Sequence, residues 1–593
     1  MSMLLSRTEY ALWLLATLTG TFPLCFHVMR NSDLWWHLAA GRLIVAKRSI
    51  PSTDSWSFTA FGHPWLNHEW LAQVIFYFLE KAWGTLGLML WFFGILLLTA
   101  GLLYDGLVRW TGRPLLSLIG VVWGMALASS FFEFRPHLYS LLGLAAVLRW
   151  VLLGKRPDLW WLTAVFLIWA NLHAGVVLGL MALGLWGLAC AFYVPEEGRR
   201  TDLRRMATVC VACFAATLIN PHGVELSEYP LRVALGLRGT FRGLLEYLPP
   251  FAPGGLRPAL YPWAVAIFLA ATVCLLAKSR RLERRERLAA LILLAGMSLA
   301  MSLVSARFIP LFAIAQAPIV AGAMSTLLVK QAVNALAHRL PRWLLPAAAI
   351  LAGCVTLRPY PFRPDVFRNL VSEETFPVDV ATFMEMNHLH GNVFAYQGWG
   401  GYLQWRTSGA LRVYYDTRAD TVFDSATYNS YVRVQSLIGG WQQTIDGSAS
   451  DFFLWPRLPW NQLPNVSQPS ALLATGRWHF LYADGAAILL ARNSVESPSH
   501  PTATPDTAYR RLALGIRAME EGRPRDAIRH LNDALELDPR LLPACRNLAA
   551  VVANQGDEAK AWKLARRCNA IFPDPGTEAG ILEELARVRA PAM

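Results

Sequence analysis

The sequence predicts a polytopic α-helical membrane protein that continues into a small α/β domain and an all-α repeat tail. Three observations lead there. The 593 residues are 54% hydrophobic and only 16% charged, with a mean hydropathy of +0.34, too apolar for a water-soluble chain of this length. Long apolar runs recur through the first 357 residues and then stop. Past residue 507 a repeat of fixed period appears.

Segments long enough to cross a bilayer, or nearly so, run over 10–28, 85–105, 114–132, 137–153, 158–171, 174–194, 207–220, 258–277, 288–305, 308–327 and 343–357. That is about eleven, judged against the ~20 residues a spanning helix needs. Segments 158–171 and 207–220 are short, and 67–82 reads either as an interfacial helix or as part of a further span. Arg7 precedes the first run and no small-residue cleavage site follows it, so this segment reads as an uncleaved span.

The formal charge of +13 is concentrated in short connections: Arg109 and Arg113; Lys155 and Arg156; Arg199, Arg200, Arg204 and Arg205; Lys278, Arg280, Arg281, Arg284, Arg285 and Arg287; Lys330, Arg339 and Arg342. With the N-terminus inside, the positive-inside rule holds at each of them, and Arg30, Arg42, Lys47 and Arg48 of the first outer loop weaken the asymmetry without reversing it. The basic excess is therefore a topology signal, and no nucleic-acid partner is expected. Eleven spans leave everything after about residue 358 outside. Cys210 and Cys213 form a CxxC inside ATVCVACFAATLI, but with no second ligand pair they read as small core residues.

The membrane domain covers 1–357, with its first outer loop over 29–84. A Pro-rich linker, 358–375, leads to an α/β domain over 376–495. There FPVDVATFMEMNHL has helical spacing, and GNVFAY, LRVYYD, WHFLYAD and AAILLARN read as strands. A second linker, 496–507, precedes the tail, 508–593. In the tail Gly522 and Gly556, Ala527 and Ala561, and Pro539 and Pro573 each stand 34 residues apart, the tetratricopeptide period. Such an array binds a protein partner on its concave face. Cys545 and Cys568 fall on its paired helices, where an oxidising compartment permits a disulfide.

The first outer loop, NSDLWWHLAAGRLIVAKRSIPSTDSWSFTAFGHPWLNHEW, sets Asp33, His37, Asp54, His63, His68 and Glu69 among Trp and Phe. Under the same topology Arg135 and His137 (FEFRPHLYS), Asn171 and His173 (WANLHAG), Asn220 and His222 (INPHG) and Arg307 (SARFIP) lie on that outer face. Charged and imidazole groups at span ends are costly unless they line a wet cavity or meet partners. A shared cavity at the outer leaflet explains the whole set; helix capping explains any one member. In the α/β domain QGWGGYLQW either grips an extended partner through Trp399 and Tyr402 or uses its glycines for close packing.

Taken together, DLWWHLAAGRLIV, IPSTDSWSFTAFGHPWLNHEWLAQ, FEFRPHLYS, WANLHAG, INPHG, GNVFAYQGWGGYLQW and VYYDTRAD resemble a widespread group of bacterial membrane proteins, over about residues 10–495. That group is similar to glycosyltransferases of the GT-C fold and distantly to oligosaccharyltransferases. The resemblance implies transfer of a sugar from a polyprenyl-phosphate-linked donor to a protein or glycan acceptor at the outer face of the bacterial cytoplasmic (inner) membrane. It puts Asp33, directly after the first span, where the fold keeps its acid. QGWGGYLQW looks like a degenerate acceptor-binding motif, WWDYG, with Gly400 and Gly401 where the acid would stand, so asparagine-linked transfer is not carried over.

For such chemistry Asp33 is the first choice as base or metal ligand, with Glu69 and Asp54 behind it and His37 and His68 assisting. Arg135 and Arg307 suit the departing phosphate. His137, Asn171, His173, Asn220 and His222 would line the substrate cavity. A divalent metal ion is compatible with the histidines, although no zinc template matches their spacing. The rival is a non-enzymatic membrane scaffold that recruits partners through the repeats. It has no use for so many spans or for arginines gathered at one leaflet. A transporter would place its polar groups nearer mid-membrane.

Overall fold

The structure, a computed structural model, describes residues 5–26, 31–153, 159–194, 196–234, 245–278, 285–327, 341–357, 373, 375–456, 468–484, 486–495 and 506–571. Outside them lie most of both linkers, the end of the second repeat with Pro573, and Arg30, Lys155, Arg156, Arg280, Arg281, Arg284, Lys330 and Arg339 of the basic or outer loops. The chain divides into two compact units: residues 1–27, 68–72 and 90–358 form a membrane unit, and 28–67, 73–89 and 359–593 form a second unit. The first outer loop, assigned from sequence to the membrane domain, thus falls largely in the same unit as the α/β domain.

Each of the eleven apolar segments lies on a helix. Among the described residues six helices are long and apolar enough to cross a membrane: Trp70–Thr111, Pro114–Phe131, Val176–Tyr193, Tyr261–Lys278, Arg285–Val304 and Ala306–Leu327. His137–Leu153, Leu159–Leu172 and Leu344–Leu357 are apolar but shorter. Segment 67–82 falls on the first part of the Trp70–Thr111 helix. The Trp70–Thr111 helix is broken at Gly84, whose φ of 58° and ψ of −150° suit only a residue without Cβ, so a separate first piece precedes the apolar one.

The Ile309–Leu327 helix is innermost, buried at every position from Ile309 to Ala323. Gly120 and Gly124 of the Pro114–Ala128 helix face its Ala313, Ala317 and Ala321. A Cβ on Gly120 would stand 3.0 Å from that of Ala321, and one on Gly124 would stand 2.9 Å from the Ala313 carbonyl oxygen. Rows of small residues let helix backbones approach closely, which is how helices associate where burial from water supplies no drive. On the outside Leu98, Ile168, Trp263 and Val273 are each more than half exposed, a surface that lipid accepts and water does not.

In the second unit a five-stranded sheet has the order β2-β1-β3-β5-β4, with β1 Gly391–Ala395, β2 Leu411–Val413, β3 Phe452–Pro456, β4 Trp478–Ala483 and β5 Ala487–Arg492. β2, β1 and β3 run parallel, and β5 lies antiparallel between β3 and β4. The loop segment Trp56–Phe58 extends the β2 edge: Val413 N–H donates to Trp56 O at 2.9 Å and Phe58 N–H to Val413 O at 3.1 Å. The tail helices Ala508–Glu520, Pro524–Leu537, Leu542–Asn554 and Glu558–Ile571 form two hairpins. Gly522 and Gly556 end the first helix of each with φ of +66° and +80°, the left-handed cap that glycine makes easily. Cys545 and Cys568 are bonded to each other.

Candidate active site

Two polar clusters stand at the ends of apolar helices of the membrane unit. The first is organised by Trp169, near the end of the Leu159–Leu172 helix. Its indole lies over Gly143 and Gly179, where any Cβ would overlap the ring. The indole Nε1–H donates to Ser140 Oγ at 3.0 Å, and Ser140 Oγ lies 2.7 Å from Nδ1 of His173. Gly175 N–H donates to the same Nδ1 at 3.0 Å. A ring nitrogen that accepts a backbone N–H carries no proton, so the proton of the neutral His173 ring sits on Nε2. Nε2 faces Glu69, 3.7 Å from Oε1, and Nε2 of His68 lies 3.8 Å from the same oxygen. Position 175 must be glycine, because a Cβ there would run into Ser140 Oγ.

One ligand atom from each of His68, Glu69 and His173 falls within a 4.8 Å cluster, dimensions that suit a metal ion. The tautomer argues otherwise. Nε2 of His173 can ligate only without its proton, which would then move to Nδ1 and oppose the Gly175 N–H. The trio therefore fits an acid–base set better than a metal centre, and Asp33 is not among the residues so gathered.

Asn171 and Asn220 hold backbone. Asn171 Oδ1 accepts the Trp70 Nε1–H at 3.0 Å, and its Nδ2 donates to Leu167 O at 2.9 Å and Ile219 O at 2.8 Å. Asn220 closes its own turn, donating to Thr217 O at 2.6 Å and accepting His222 N–H at 2.7 Å. His222 Nε2 is buried and has no hydrogen-bond partner among the described residues.

The second cluster is built on Glu246, a residue with no mark in the sequence pattern. Arg135 Nη1 lies 2.9 Å from Glu246 Oε2, and Arg307 Nη1 lies 2.6 Å from Oε1. Arg135 also pairs with Glu133 at 3.2 Å, and Arg307 stacks on the Tyr247 ring at 4.9 Å. The stretch of chain carrying Glu246 is fixed by Ala306 N–H donating to Leu248 O at 3.0 Å and by Ser305 Oγ donating to Glu246 O at 3.2 Å. Burial alone would raise the Glu246 carboxyl, but the two guanidiniums outweigh it and hold it down at about 2. His137 donates from Nε2 to Phe131 O at 3.0 Å. With Arg257, these groups line a cavity of about 260 Å³.

The other candidates lie in the second unit. Asp33 opens the Asp33–Lys47 helix, its N–H donating to Asn31 Oδ1 at 2.8 Å. His37 is 1% exposed, packed on Trp36 and edge-on to Phe76. Asp54 is enclosed as well. It pairs at 2.6 Å with Arg418, which also meets Asp416 at 2.8 Å and lies between the Trp56 and Trp65 rings, each 4.8 Å away. Burial pushes the Asp54 carboxyl up, and Arg418 with Ser57 brings it below its ordinary value. This is a buried brace, closed to a substrate.

Trp399 and Tyr402 are 3% and 0% exposed, so neither offers a gripping surface. The paired glycines serve packing: a Cβ on Gly401 would stand 2.7 Å from the Trp36 backbone nitrogen, and one on Gly400 2.5 Å from the Asp416 Cβ. Arg42 then donates to the carbonyls of Gln404 and Trp405, each at 2.8 Å.

No family model and no curated protein matches this chain. Among solved structures it is similar to ArnT from Cupriavidus metallidurans bound to undecaprenyl phosphate, at 13% identity and a TM-score of 0.47, over 83% of this chain and 100% of that one. It is also similar to the arabinofuranosyltransferase AftD from Mycobacteria, at 16% identity and a TM-score of 0.45, over 88% of this chain and 43% of that one. Likenesses at these scores decide nothing about the chemistry of this chain.

Proposed function

We propose that this chain is a membrane glycosyltransferase that moves a sugar from a polyprenyl-phosphate-linked donor to a protein or glycan acceptor at the outer face of the cytoplasmic membrane. The observation that carries the reading is the cavity where Arg135 and Arg307 share one carboxylate, Glu246, at the ends of apolar helices. Glu246 fixes Arg135 and Arg307 and Glu133 also holds Arg135, so the geometry is already set, and with Arg257 the cavity's three arginines outnumber its two acids by one charge. As the glycosidic bond breaks, charge builds on the departing phosphate, and fixed donors that need no rearrangement stabilise it most. Arg257 in the same wall adds to the positive field.

The acceptor hydroxyl needs a base. Glu69 takes that part in the membrane unit, its carboxylate flanked by His68 and by the Nε2–H side of His173. His173 is a positioning group, held by Ser140, Gly175 and Trp169. Asp33, the acid singled out by the resemblance, is tested separately. No step is assigned to a metal.

Glycan transfer in cells, read beside membrane insertion and protein level, tests the reading. Glu69→Gln is expected to lower transfer by about 10²–10⁴-fold, the scale for a lost general base, with insertion unchanged; Asp33→Asn is expected to abolish it. Full transfer in both variants would sink the assignment.

A further inference from the structure

A groove in the membrane unit, lined by residues none of which belongs to either cluster above, has a volume of about 580 Å³. We propose that it binds an anionic glycerophospholipid, with the lipid phosphate on Arg109 and Arg149 and an acyl chain lying along the leucines of the Arg7–Thr21 and Trp70–Thr111 helices.

The polar end of the groove is one carboxylate serving two guanidiniums. Asp105 Oδ1 receives Arg109 Nε at 2.7 Å and the Tyr10 hydroxyl at 2.7 Å, while Oδ2 receives Arg149 Nε at 2.7 Å. Among the lining groups this leaves one net positive charge. The acid faces inward and the bases outward: side-chain exposure is 9% for Asp105, 29% for Arg149 and 52% for Arg109. An anion arriving from outside therefore meets cation first.

Depth supplies the second argument. Asp105 and Arg109 lie in the last turns of the Trp70–Thr111 helix, Tyr10 lies in the first turn of Arg7–Thr21, and Arg149 lies one turn from the end of His137–Leu153. All of them stand where apolar helices end, which is headgroup depth. From there the trough runs along Leu102, Leu98 and Leu97 on one side and Leu14 and Leu18 on the other. Leu97 is eight residues from Asp105, about 12 Å at 1.5 Å per residue.

A cationic mouth with an apolar trough reaching toward the bilayer middle matches a phospholipid. A soluble phosphate would use only the mouth. A zwitterionic lipid would bring its own cation against the surplus charge. Gly101 marks the floor: a Cβ there meets only Leu14 Cδ1, at 3.9 Å, so a larger side chain would fill the trough without disturbing the helices.

The test uses the full chain in detergent, with retained lipid counted by native mass spectrometry after addition of phosphatidylglycerol or phosphatidylcholine of the same acyl chains. Wild type is expected to retain phosphatidylglycerol at least fivefold better, and millimolar inorganic phosphate is expected not to displace it. Gly101→Leu, which leaves every charge in place, should lower phosphatidylglycerol retention at least fivefold. Arg109→Gln, at a half-exposed site, should remove the preference between the two lipids. Equal retention of both lipids by wild type, displacement by phosphate alone, or wild-type binding in Gly101→Leu would each overturn the proposal. None of these outcomes bears on the Arg135–Glu246–Arg307 cavity.

Discussion

Replacing Arg418 by Met separates bracing from catalysis in the loop around Asp54. The guanidinium is 1% exposed and bonds Asp416 through Nε and Nη2 and Asp54 through Nη1. Met keeps much of the bulk between Trp56 and Trp65 but removes the charge, so Asp54 and Asp416, 1% and 0% exposed, lose their counterion. Protonating one carboxyl of ordinary pKa 3.8 to relieve the strain costs about 5 kcal/mol at pH 7.5 and about 1.6 kcal/mol at pH 5. The first figure agrees with the roughly 3–5 kcal/mol found when one partner of a buried pair is removed. Against a typical total of about 5–15 kcal/mol, that is enough to open the region. Hydrogen exchange of peptides covering residues 52–66 and 411–423 reads the local opening free energy. Arg418→Met should lower it by about 3–5 kcal/mol at pH 7.5 and by much less at pH 5, and adding Asp54→Asn and Asp416→Asn should recover most of the loss. A variant within 1 kcal/mol of wild type at pH 7.5, on the order of a surface substitution, would refute the reasoning.

Asp379 is pushed up to about 7 by burial and by the neighbouring Asp484. The folded state then keeps a proton that the unfolded chain releases near 3.8, so stability falls as pH rises from about 4 through 7; Asp379→Asn should flatten that slope and raise the unfolding free energy at pH 8, by at most about 4 kcal/mol. No gain at pH 8 would contradict this sign. Ser140→Ala removes the hydroxyl between Trp169 and His173 and should lower transfer about tenfold with a displaced pH–rate profile; a loss without that displacement would mean a packing role alone. Replacing Cys545 and Cys568 by Ser opens a closure spanning 23 residues and should cost the tail about 3 kcal/mol, read by proteolysis of the 508–571 helices.

The sequence displays features whose cause is local. Gly522 and Gly556 recur at one spacing because both take a left-handed φ, and Ala527 and Ala561 recur because both are wholly buried at helix crossings. Four strands show their β-branched and aromatic runs. β3, FFLWP, is aromatic too but escapes the pattern: it is buried at all five positions, and a strand covered on both faces has no alternation to find. Partners distant in the chain are hidden too. Asp54 reads as a candidate catalyst because its counterion, Arg418, lies 364 residues away. Glu246 sits in LLEYLPP with no companion nearby; the available signal was that Arg135 and Arg307, both at helix ends, required an acid. The tautomer of His173 depends on a contact with its near neighbour Gly175, visible only once the turn is built.

Binding of a polyprenyl phosphate to the purified full chain tests the central claim most directly, with wild type, Arg135→Gln and Arg307→Gln compared by native mass spectrometry. Wild type is expected to bind the lipid and each variant to weaken it at least tenfold, an effect of about 1.4 kcal/mol, just under the roughly 1.5–3 kcal/mol of one charged hydrogen bond. Gly101→Leu, outside that cavity, should bind it as wild type does. Equal binding by wild type and both arginine variants would contradict the account.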